Sequence, residues 1–232
     1  MKREYIFIGP PGSGKGTQTI MLSREYKLPH IDTGALLRAE IASGSEIGER
    51  ANERIKKGQL VPIEIVSEII KNRLKEKDCE NGFILDGYPR SLEQAKALDK
   101  IFEEIDGTTQ TDRKVFYFDI AEDSLIERLV NRRTCPKCGE IFNLKTIKGD
   151  TPPLKPLKRG DSLFCPHCEA ELTQRKDDTE EVAKARFETY FSETHPLIDL
   201  YSKRNLVCTI QADKDIKTVY AQLKKAVEKN GN

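Results

Sequence analysis

Short apolar runs alternate along the chain with longer segments that carry one apolar face. Residues 5–8, 82–85 and 115–118 are rich in aromatic or β-branched side chains, which is typical of strands buried in a parallel sheet. Residues 29–31 and 207–210 predict two further strands. Strands that alternate with helices predict an α/β fold, a doubly wound parallel sheet that binds ligands at the carboxyl ends of its strands.

Helix boundaries follow from capping residues, glycines and prolines. Asp32 or Thr33 can cap the helix after the second strand, Gly58 ends the next helix, and Pro62 suits the first position of a third. The predicted helices cover residues 15–26, 33 through 38, 45–57, 62 onwards, 91–105, 122–133, 180 to a break near Pro196, and 216–230. Residues 106–112 are predicted to form a polar loop.

A glycine-rich loop follows the first strand. Residues 9–17, Gly-Pro-Pro-Gly-Ser-Gly-Lys-Gly-Thr, match the P-loop pattern G-x-x-x-x-G-K-[ST] and lie between a predicted strand and a predicted helix. That context argues against a chance glycine turn. The backbone of Gly12, Ser13, Gly14 and Gly16 can surround an anion at the helix N-terminus. Lys15 would place a positive charge at the β- and γ-phosphates of a nucleoside triphosphate, and Thr17 would offer a hydroxyl to Mg²⁺.

Composition narrows the class of protein. The chain has 232 residues, 37% hydrophobic and 33% charged, and a net charge of +1, which gives no global basic field for nucleic acid. No apolar run approaches the length of a membrane span, and the N-terminus leads directly into the first strand without a signal peptide. We therefore expect a cytoplasmic protein, acting as a monomer, whose cysteines are thiols or metal ligands.

Four of the six cysteines form two C-x-x-C pairs, Cys135/Cys138 and Cys165/Cys168. Two such knuckles suit a tetrahedral, structural Zn²⁺ site with four thiolates. The 26 residues between the pairs exceed the usual spacing, but a longer loop raises the closure entropy only slowly. Disulfides or idle thiols are the alternatives. Cys79 and Cys208 lie outside the set, and His167 is predicted to be a bystander inside the second knuckle.

Acidic and basic residues near predicted turns suggest phosphate chemistry. Asp86 ends a buried strand, where a carboxylate can bind Mg²⁺ through water; an ordinary Asp-Gly turn is the alternative. Several arginines lie at element ends, where their forked guanidinium groups could bind phosphate oxygens: Arg38, Arg90, Arg128, Arg132, Arg175 and Arg186. Any one of them alone would be interpreted as a surface charge.

Four motifs, in order and across nearly the whole chain, resemble adenylate kinases of the bacterial long-lid, zinc-binding type. They are residues 9–18, Asp-Thr-Gly-Ala-Leu-Leu-Arg at 32–38, Phe-Ile-Leu-Asp-Gly-Tyr-Pro-Arg-Ser-Leu-Glu-Gln at 83–94, and Arg-Lys-Asp-Asp at 175–178. The resemblance implies Mg²⁺-dependent phosphoryl transfer from ATP to AMP, giving two ADP. It also implies a core of residues 1–31, 62–130 and 179–232, an AMP-binding insertion of residues 32–61 and a zinc lid of residues 131–178.

The resemblance also implies individual roles. The residues implied to hold AMP are Thr33, Arg38, Val61, Arg90, Gln94, Arg175 and Arg186. Arg38 and Arg90 would grip its phosphate, and Gln94 would bind the adenine edge. The cations implied to surround the ATP phosphates and the transferring group are Lys15, Arg128, Arg132, Arg175 and Arg186. Asp177 and Asp178 would steer arginines as the lid closes.

The sequence departs from the family pattern at three places. Asp32 stands where the family has Ser or Thr, Ala35 stands where it has Asp, and Gln211-Ala212-Asp213 replaces an Asp-Gly pair beside the ATP base. An added carboxylate at position 32 could weaken AMP binding unless it only caps the helix.

Two rival interpretations and one unexplained segment remain open at the level of sequence. A kinase of UMP, CMP or GMP is one rival, although Gln94 favours adenine. A zinc-ribbon nucleic-acid-binding ATPase is the other, and the near-neutral charge disfavours it. Residues 148–159 contain three prolines and almost no apolar pattern, so we expect a flexible excursion on the outer surface of the lid.

Overall fold

A computed structural model describes residues 1–121, 125–144 and 155–229. The strands of the described residues are β1 (Lys2–Ile8), β2 (His30–Asp32), β3 (Gly82–Asp86), β4 (Thr111–Asp119), β5 (Arg132–Thr134), β6 (Ile141–Asn143), β7 (Leu157–Arg159), β8 (Ser162–Phe164) and β9 (Val207–Gln211). The α-helices are α1 (Lys15–Tyr26), α2 (Thr33–Ala42), α3 (Glu46–Lys56), α4 (Ile63–Leu74), α5 (Leu92–Asp106), α6 (Leu125–Val130), α7 (Glu180–Thr189), α8 (Pro196–Lys203) and α9 (Ile216–Glu228).

The central sheet has the order β2-β3-β1-β4-β9, and its neighbouring strands are parallel. This confirms the predicted α/β fold. Alternate side chains of β1 point to opposite faces, so Ile6 and Ile8 pack with α4 and α5 while Tyr5 and Phe7 pack with α1 and α9. Burying one such side chain stabilises the fold by roughly 1.5–3 kcal/mol. The parallel direction brings the carboxyl ends of β1, β2 and β3 to one edge of the sheet.

The prediction of a helix over residues 122–133 was wrong at its C-terminal end. Residues 122–124 lie outside the described residues, and α6 ends at Val130. Arg132 then pairs with Asn143 in the antiparallel β5–β6 ladder. Arg128 and Arg132 therefore do not share one helix face. The polar loop expected at residues 106–112 is shorter than predicted, because α5 includes Asp106 and β4 begins at Thr111.

The two C-x-x-C pairs lie in a small region with its own apolar core. Phe142, Leu163 and Leu172 pack around Cys135 and Cys165. Residues 145–154, which include most of the predicted excursion, lie outside the described residues. The prediction was wrong for Leu157–Arg159, which pairs with Ser162–Phe164 as an antiparallel hairpin. Its side chains are exposed.

Helix α7 passes into α8 through a π-helical turn, Tyr190–Thr194, at the break predicted near Pro196. Two threonines of this segment fix other parts of the chain. The Thr189 hydroxyl donates to the Gly58 carbonyl at 3.1 Å, and the Thr194 hydroxyl donates to the Arg90 carbonyl at 2.8 Å. The segment thus ties together the end of residues 32–61 and the loop that follows β3.

Helices that could span a membrane were sought in the described part of the chain, and none has the necessary length and apolar character.

Gly82 provides a test of the β1–β3 register. Its φ is +129°, and a Cβ there would lie 2.2 Å from the Arg3 carbonyl oxygen of the neighbouring strand. We expect Gly82→Ala to lower the free energy of unfolding by at least about 3 kcal/mol, because both the backbone angle and the strand contact would be strained.

Gly44 is the matched control for that variant. It also has a positive φ, +73°, but a Cβ there would meet nothing within 4 Å. Gly44→Ala should therefore cost only about 1–2 kcal/mol in chemical denaturation. Equal losses in the two variants would contradict the proposed close approach of β3 to β1.

Candidate active site

A cavity of about 260 Å³ lies at the carboxyl edge of the sheet, next to the P-loop. It is bounded by parts of the chain that are distant in sequence, among them the P-loop, the ends of β2 and β3, strand β6 and helix α7. The charged residues that line it are Lys15, Asp32, Asp86, Arg90, Arg128, Arg132, Arg175, Arg186 and Lys214. The cavity therefore contains many more cations than anions and is suited to a highly charged anionic ligand.

The P-loop surrounds the Lys15 ammonium group. Helix α1 begins at Lys15 after Gly14, whose φ of 87° is left-handed. The Lys15 Nζ donates to the carbonyls of Gly9 at 2.6 Å and Pro10 at 2.8 Å, and to the Ser13 hydroxyl at 3.1 Å. Burial, opposed by Asp86 but reinforced by the charge of Arg90, lowers the pKa of Lys15 to about 8. A bound phosphate would give this cation the anionic partner that the loop carbonyls only partly replace.

Asp86 faces the P-loop from the end of β3. A Cβ on Gly16 would lie 3.9 Å from its Oδ2, and the same oxygen lies 3.5 Å from the His30 Nε2 on the neighbouring strand. Burial opposes ionisation of Asp86, but His30 and Lys15 keep its pKa below the ordinary value. An ionised carboxylate here, close to the Thr17 end of the loop, fits a Mg²⁺ ion carried by phosphates. Sequence reasoning gave His30 no part in the site.

Three of the arginines that line the cavity, Arg132, Arg175 and Arg186, differ in how far carboxylates neutralise them. Asp178 accepts from the Arg132 Nε at 2.8 Å and also from its terminal nitrogen, while Asp177 accepts from Arg186 at 3.1 Å. Burial, followed by the charge of Arg132, lowers the pKa values of Arg175 and Arg186 to about 10. In residues 1–121, 125–144 and 155–229, no carboxylate forms an ion pair with Arg175.

Arg90 lies just before α5, where hydrogen bonds fix both its backbone and its side chain. Its Nε donates to the Gly87 carbonyl at 2.7 Å, and its backbone N–H donates to the Gln94 Oε1 at 2.8 Å. Burial lowers the pKa of Arg90 even though Asp86 opposes this effect. The guanidinium is thus positioned without a paired carboxylate among the described residues.

A second cleft adjoins the cavity and shares Leu60 and Thr189 with it. Val61 and Gln94, both predicted to bind AMP, line this second cleft. Thr33 is buried, and its hydroxyl has no hydrogen-bond partner in the described residues. Arg38 is not among the described residues that line either cleft; it is half-buried, and its terminal nitrogen lies 3.5 Å from the Asp32 Oδ2.

Strand β6 was missed by sequence reasoning, and it covers the P-loop. A Cβ on Gly16 would lie 2.8 Å from the Ile141 Cδ1, and Ile141, Phe142 and Asn143 all line the cavity. Glu140, just before this strand, accepts from the Arg24 guanidinium of α1 at 2.9 Å. The adjacent apolar pair Ile141-Phe142 after the first knuckle was the available signal. Strand β6 therefore lies directly over the P-loop.

The four predicted metal ligands come together. The Sγ atoms of Cys135 and Cys168 are 3.3 Å apart, those of Cys138 and Cys165 are 3.6 Å apart, and all four lie within 4.8 Å of one another. Zn–S distances near 2.3 Å in a tetrahedron require S–S separations of about 3.8 Å. The cluster therefore has the size and donor set of a four-thiolate metal site.

Comparison with known proteins agrees with this site. The adenylate kinase family model matches residues 7–206. The chain is 44% identical to an adenylate kinase of Alkaliphilus oremlandii over 94% of this chain and 95% of that one. It is 41% identical to one of Archaeoglobus fulgidus over 97% of both chains, and 40% identical to one of Thermosipho melanesiensis over 94% and 96%. The chain belongs to the adenylate kinase family.

The lowered pKa of Lys15 predicts that this residue reduces the free energy of unfolding of the nucleotide-free protein in a pH-dependent way. Because the folded pKa, about 8, lies below the ordinary 10.5, the charged lysine destabilises the fold below pH 8 and this cost disappears as pH rises toward 10.5. Lys15→Met should therefore be more stable than the parent at pH 7, with a difference that shrinks between pH 8 and 10.

Chemical denaturation at several pH values measures this difference. Lys217→Met, which removes an exposed lysine from α9, controls for the loss of one positive charge. A Lys15→Met stability difference that stays constant with pH would contradict the electrostatic explanation.

Proposed function

We propose that the cavity cations carry out the reaction of this adenylate kinase family member mainly by positioning and charge neutralisation. The reaction is reversible transfer of the ATP γ-phosphoryl group to AMP, giving two ADP. The observation that supports our proposal is the convergence of Lys15, Arg90, Arg132, Arg175 and Arg186 on one cavity with too few carboxylates to neutralise them. Charge that spreads over the transferring phosphoryl oxygens would be stabilised by these groups.

In this proposal the P-loop holds the ATP phosphates. The backbone N–H groups of residues 12–17 and the Lys15 ammonium bind the β- and γ-phosphates, with Arg128 and Arg132 beside them. Thr17 and Asp86 would hold the Mg²⁺ that accompanies ATP, Asp86 through water. The ion supplies neutralisation of charge at the phosphate oxygens. Asp177 and Asp178 orient Arg186 and Arg132 toward the transferring group.

AMP would occupy the second cleft with its phosphate pointing into the cavity. Arg38 and Arg90 bind the phosphate, Gln94 binds the adenine edge, and Val61 contributes backbone. Arg175 and Arg186 stand between the two phosphates. Thr33, whose buried hydroxyl has no hydrogen-bond partner among the described residues, would also hold AMP. Support comes from Gln94, which lines the second cleft and accepts from the backbone N–H of Arg90, a residue that lines the cavity.

The attacking atom in this scheme is an AMP phosphate oxygen, which is already anionic. A general base is therefore unnecessary, and His30 is engaged with Asp86 instead. Water is the competing acceptor, so the site must close before transfer. Strand β6 is suited to this task because Ile141 and Phe142 place apolar surface over the P-loop.

The proposed division into regions follows from these roles. Residues 1–31, 62–130 and 179–232 form the core, residues 32–61 the AMP-binding insertion and residues 131–178 the lid. We further propose that the protein acts as a cytoplasmic monomer without a nucleic-acid partner. The near-neutral net charge and thiol cysteines support this proposal.

The lid would be held together by one structural Zn²⁺ on Cys135, Cys138, Cys165 and Cys168. The four sulfur atoms lie close enough together to bind one ion and form the donor set that Zn²⁺ prefers in structural sites. Four thiolates leave no open coordination position, so the ion would have a structural function. Only a small core of the described lid residues surrounds the cluster, so cross-linking by metal would add much of its stability.

AMP should be the preferred acceptor, and Arg90 should be essential to its use. In a coupled assay for ADP formation, AMP should outperform UMP, CMP and GMP. Lys15→Ala and Arg90→Ala should each lower the rate at least about a hundredfold, because each removes charge stabilisation at a phosphate.

Arg204→Ala is the control for those variants. Arg204 pairs with Asp99 at 2.9 Å on the exposed surface and should leave the rate nearly unchanged. A folded Arg90→Ala protein with near-normal turnover, or a preference for another monophosphate, would overturn the proposed AMP site.

Zinc content tests the lid proposal. The purified protein should bind one Zn²⁺ per chain, and Cys138→Ser should lose it with a fall in stability of about 2 kcal/mol or more, or ~4–8 °C in Tm. Cys208→Ser, in β9 outside the cluster, should retain the metal. Metal content by elemental analysis and Tm by calorimetry measure both effects. Full zinc content in Cys138→Ser would rule out the four-thiolate site.

A further inference from the structure

Asp32 places a carboxylate at the entrance to the proposed phosphate site of AMP. It is the last residue of β2 and pairs in register with Asp86 at the end of β3. Its Oδ1 caps helix α2 by accepting from the Ala35 N–H at 3.0 Å. Its Oδ2 lies 3.5 Å from a terminal nitrogen of Arg38. One side chain thus serves the helix cap and an arginine at the same time.

Asp32 lies among several cations as well as the neighbouring carboxylate of Asp86. Asp32 lines the central cavity with Arg90 and Arg175, and its charge opposes the effect of burial on the pKa values of both arginines. It acts in the same direction on His30, the neighbour of Asp86. Asp32 is therefore an internal anion in a cavity that, in the proposed function, binds external ones.

Asp32 and Arg38 form a solvent-exposed ion pair that a bound phosphate could replace. The side chains are 30% and 34% exposed, and ion pairs with that much solvent contribute little free energy. The Arg38 guanidinium lies across Gly34, where a Cβ would be 3.0 Å from its terminal nitrogen and 3.1 Å from the Asp32 Oδ1. A phosphate that reaches this guanidinium must therefore approach the carboxylate as well.

We propose that Asp32 lowers the affinity of the site for the phosphate group of AMP. Its carboxylate pairs with Arg38 in the nucleotide-free protein and repels the phosphate dianion when AMP binds. The consequence is weaker binding of the acceptor and faster exchange, with no effect on the nucleoside part. This inference rests on the proposed AMP site, specifically on Arg38 as a phosphate ligand.

Asp32→Asn separates the charge from the cap. Asparagine caps a helix as well as aspartate does, so α2 should be retained. The Kd for AMP, measured by calorimetry, should fall by about three- to thirtyfold, where tenfold corresponds to about 1.4 kcal/mol. The Kd for ATP should stay within about twofold. Binding of adenosine, measured by competition, should not change because it has no phosphate.

A second pair of variants makes the result decisive. Asp32→Ser also keeps a capping side chain without a charge and should tighten AMP binding in the same way. Arg38→Ala should weaken AMP binding at least tenfold. An unchanged or raised Kd for AMP in Asp32→Asn, with Arg38→Ala behaving as expected, would overturn the role of Asp32 alone. If Arg38→Ala leaves the Kd for AMP unchanged, the proposed AMP site is wrong, and the role proposed for Asp32 is then wrong as well.

Discussion

Loss of hydration at clustered cations, reinforced by their mutual repulsion, is the physical constraint on which the site depends. Lys15, Arg90, Arg175 and Arg186 face one cavity, and burial together with their neighbours' charges lowers the pKa of each. Such an arrangement costs free energy in the empty protein, because desolvated charges of one sign have few partners. In the proposed function, the phosphates of the nucleotides supply the missing anions. The cost carried by the empty site therefore becomes affinity and charge stabilisation when nucleotides bind.

The rest of the structure holds these cations in place despite their repulsion. The parallel sheet fixes the P-loop and Asp86 on adjacent strands, β1 and β3. Hydrogen bonds from Thr194 and Gln94 fix the backbone around Arg90. Asp177 and Asp178 orient arginines on the far side of the cavity. The sheet and helices that carry these residues are themselves stabilised by apolar side chains buried on the two faces of the sheet.

Local signals in the sequence were sufficient for the sheet, the P-loop and the cysteine cluster. Strands such as β1 are continuous apolar runs, and Lys15 and the cysteines lie in motifs of fixed spacing. The end of α6 at Val130 could not be predicted, because Arg132 enters a strand only through pairing with Asn143. The contact of His30 with Asp86 depends on β2 and β3 being neighbours in the sheet, which the chain order alone does not establish. The AMP-site residues came from family resemblance rather than from residue patterns.

Proton uptake on nucleotide binding tests the central claim most directly. If phosphates relieve the repulsion at Lys15, its pKa must rise from about 8 when ATP binds, so the protein should take up protons near pH 8.5. Calorimetric titration with Mg·ATP in two buffers of different ionisation enthalpy measures this uptake. We expect the parent protein to take up a large fraction of one proton and Lys15→Met to show a clear loss of this uptake. Equal proton uptake in both proteins, or none in the parent, would contradict the account.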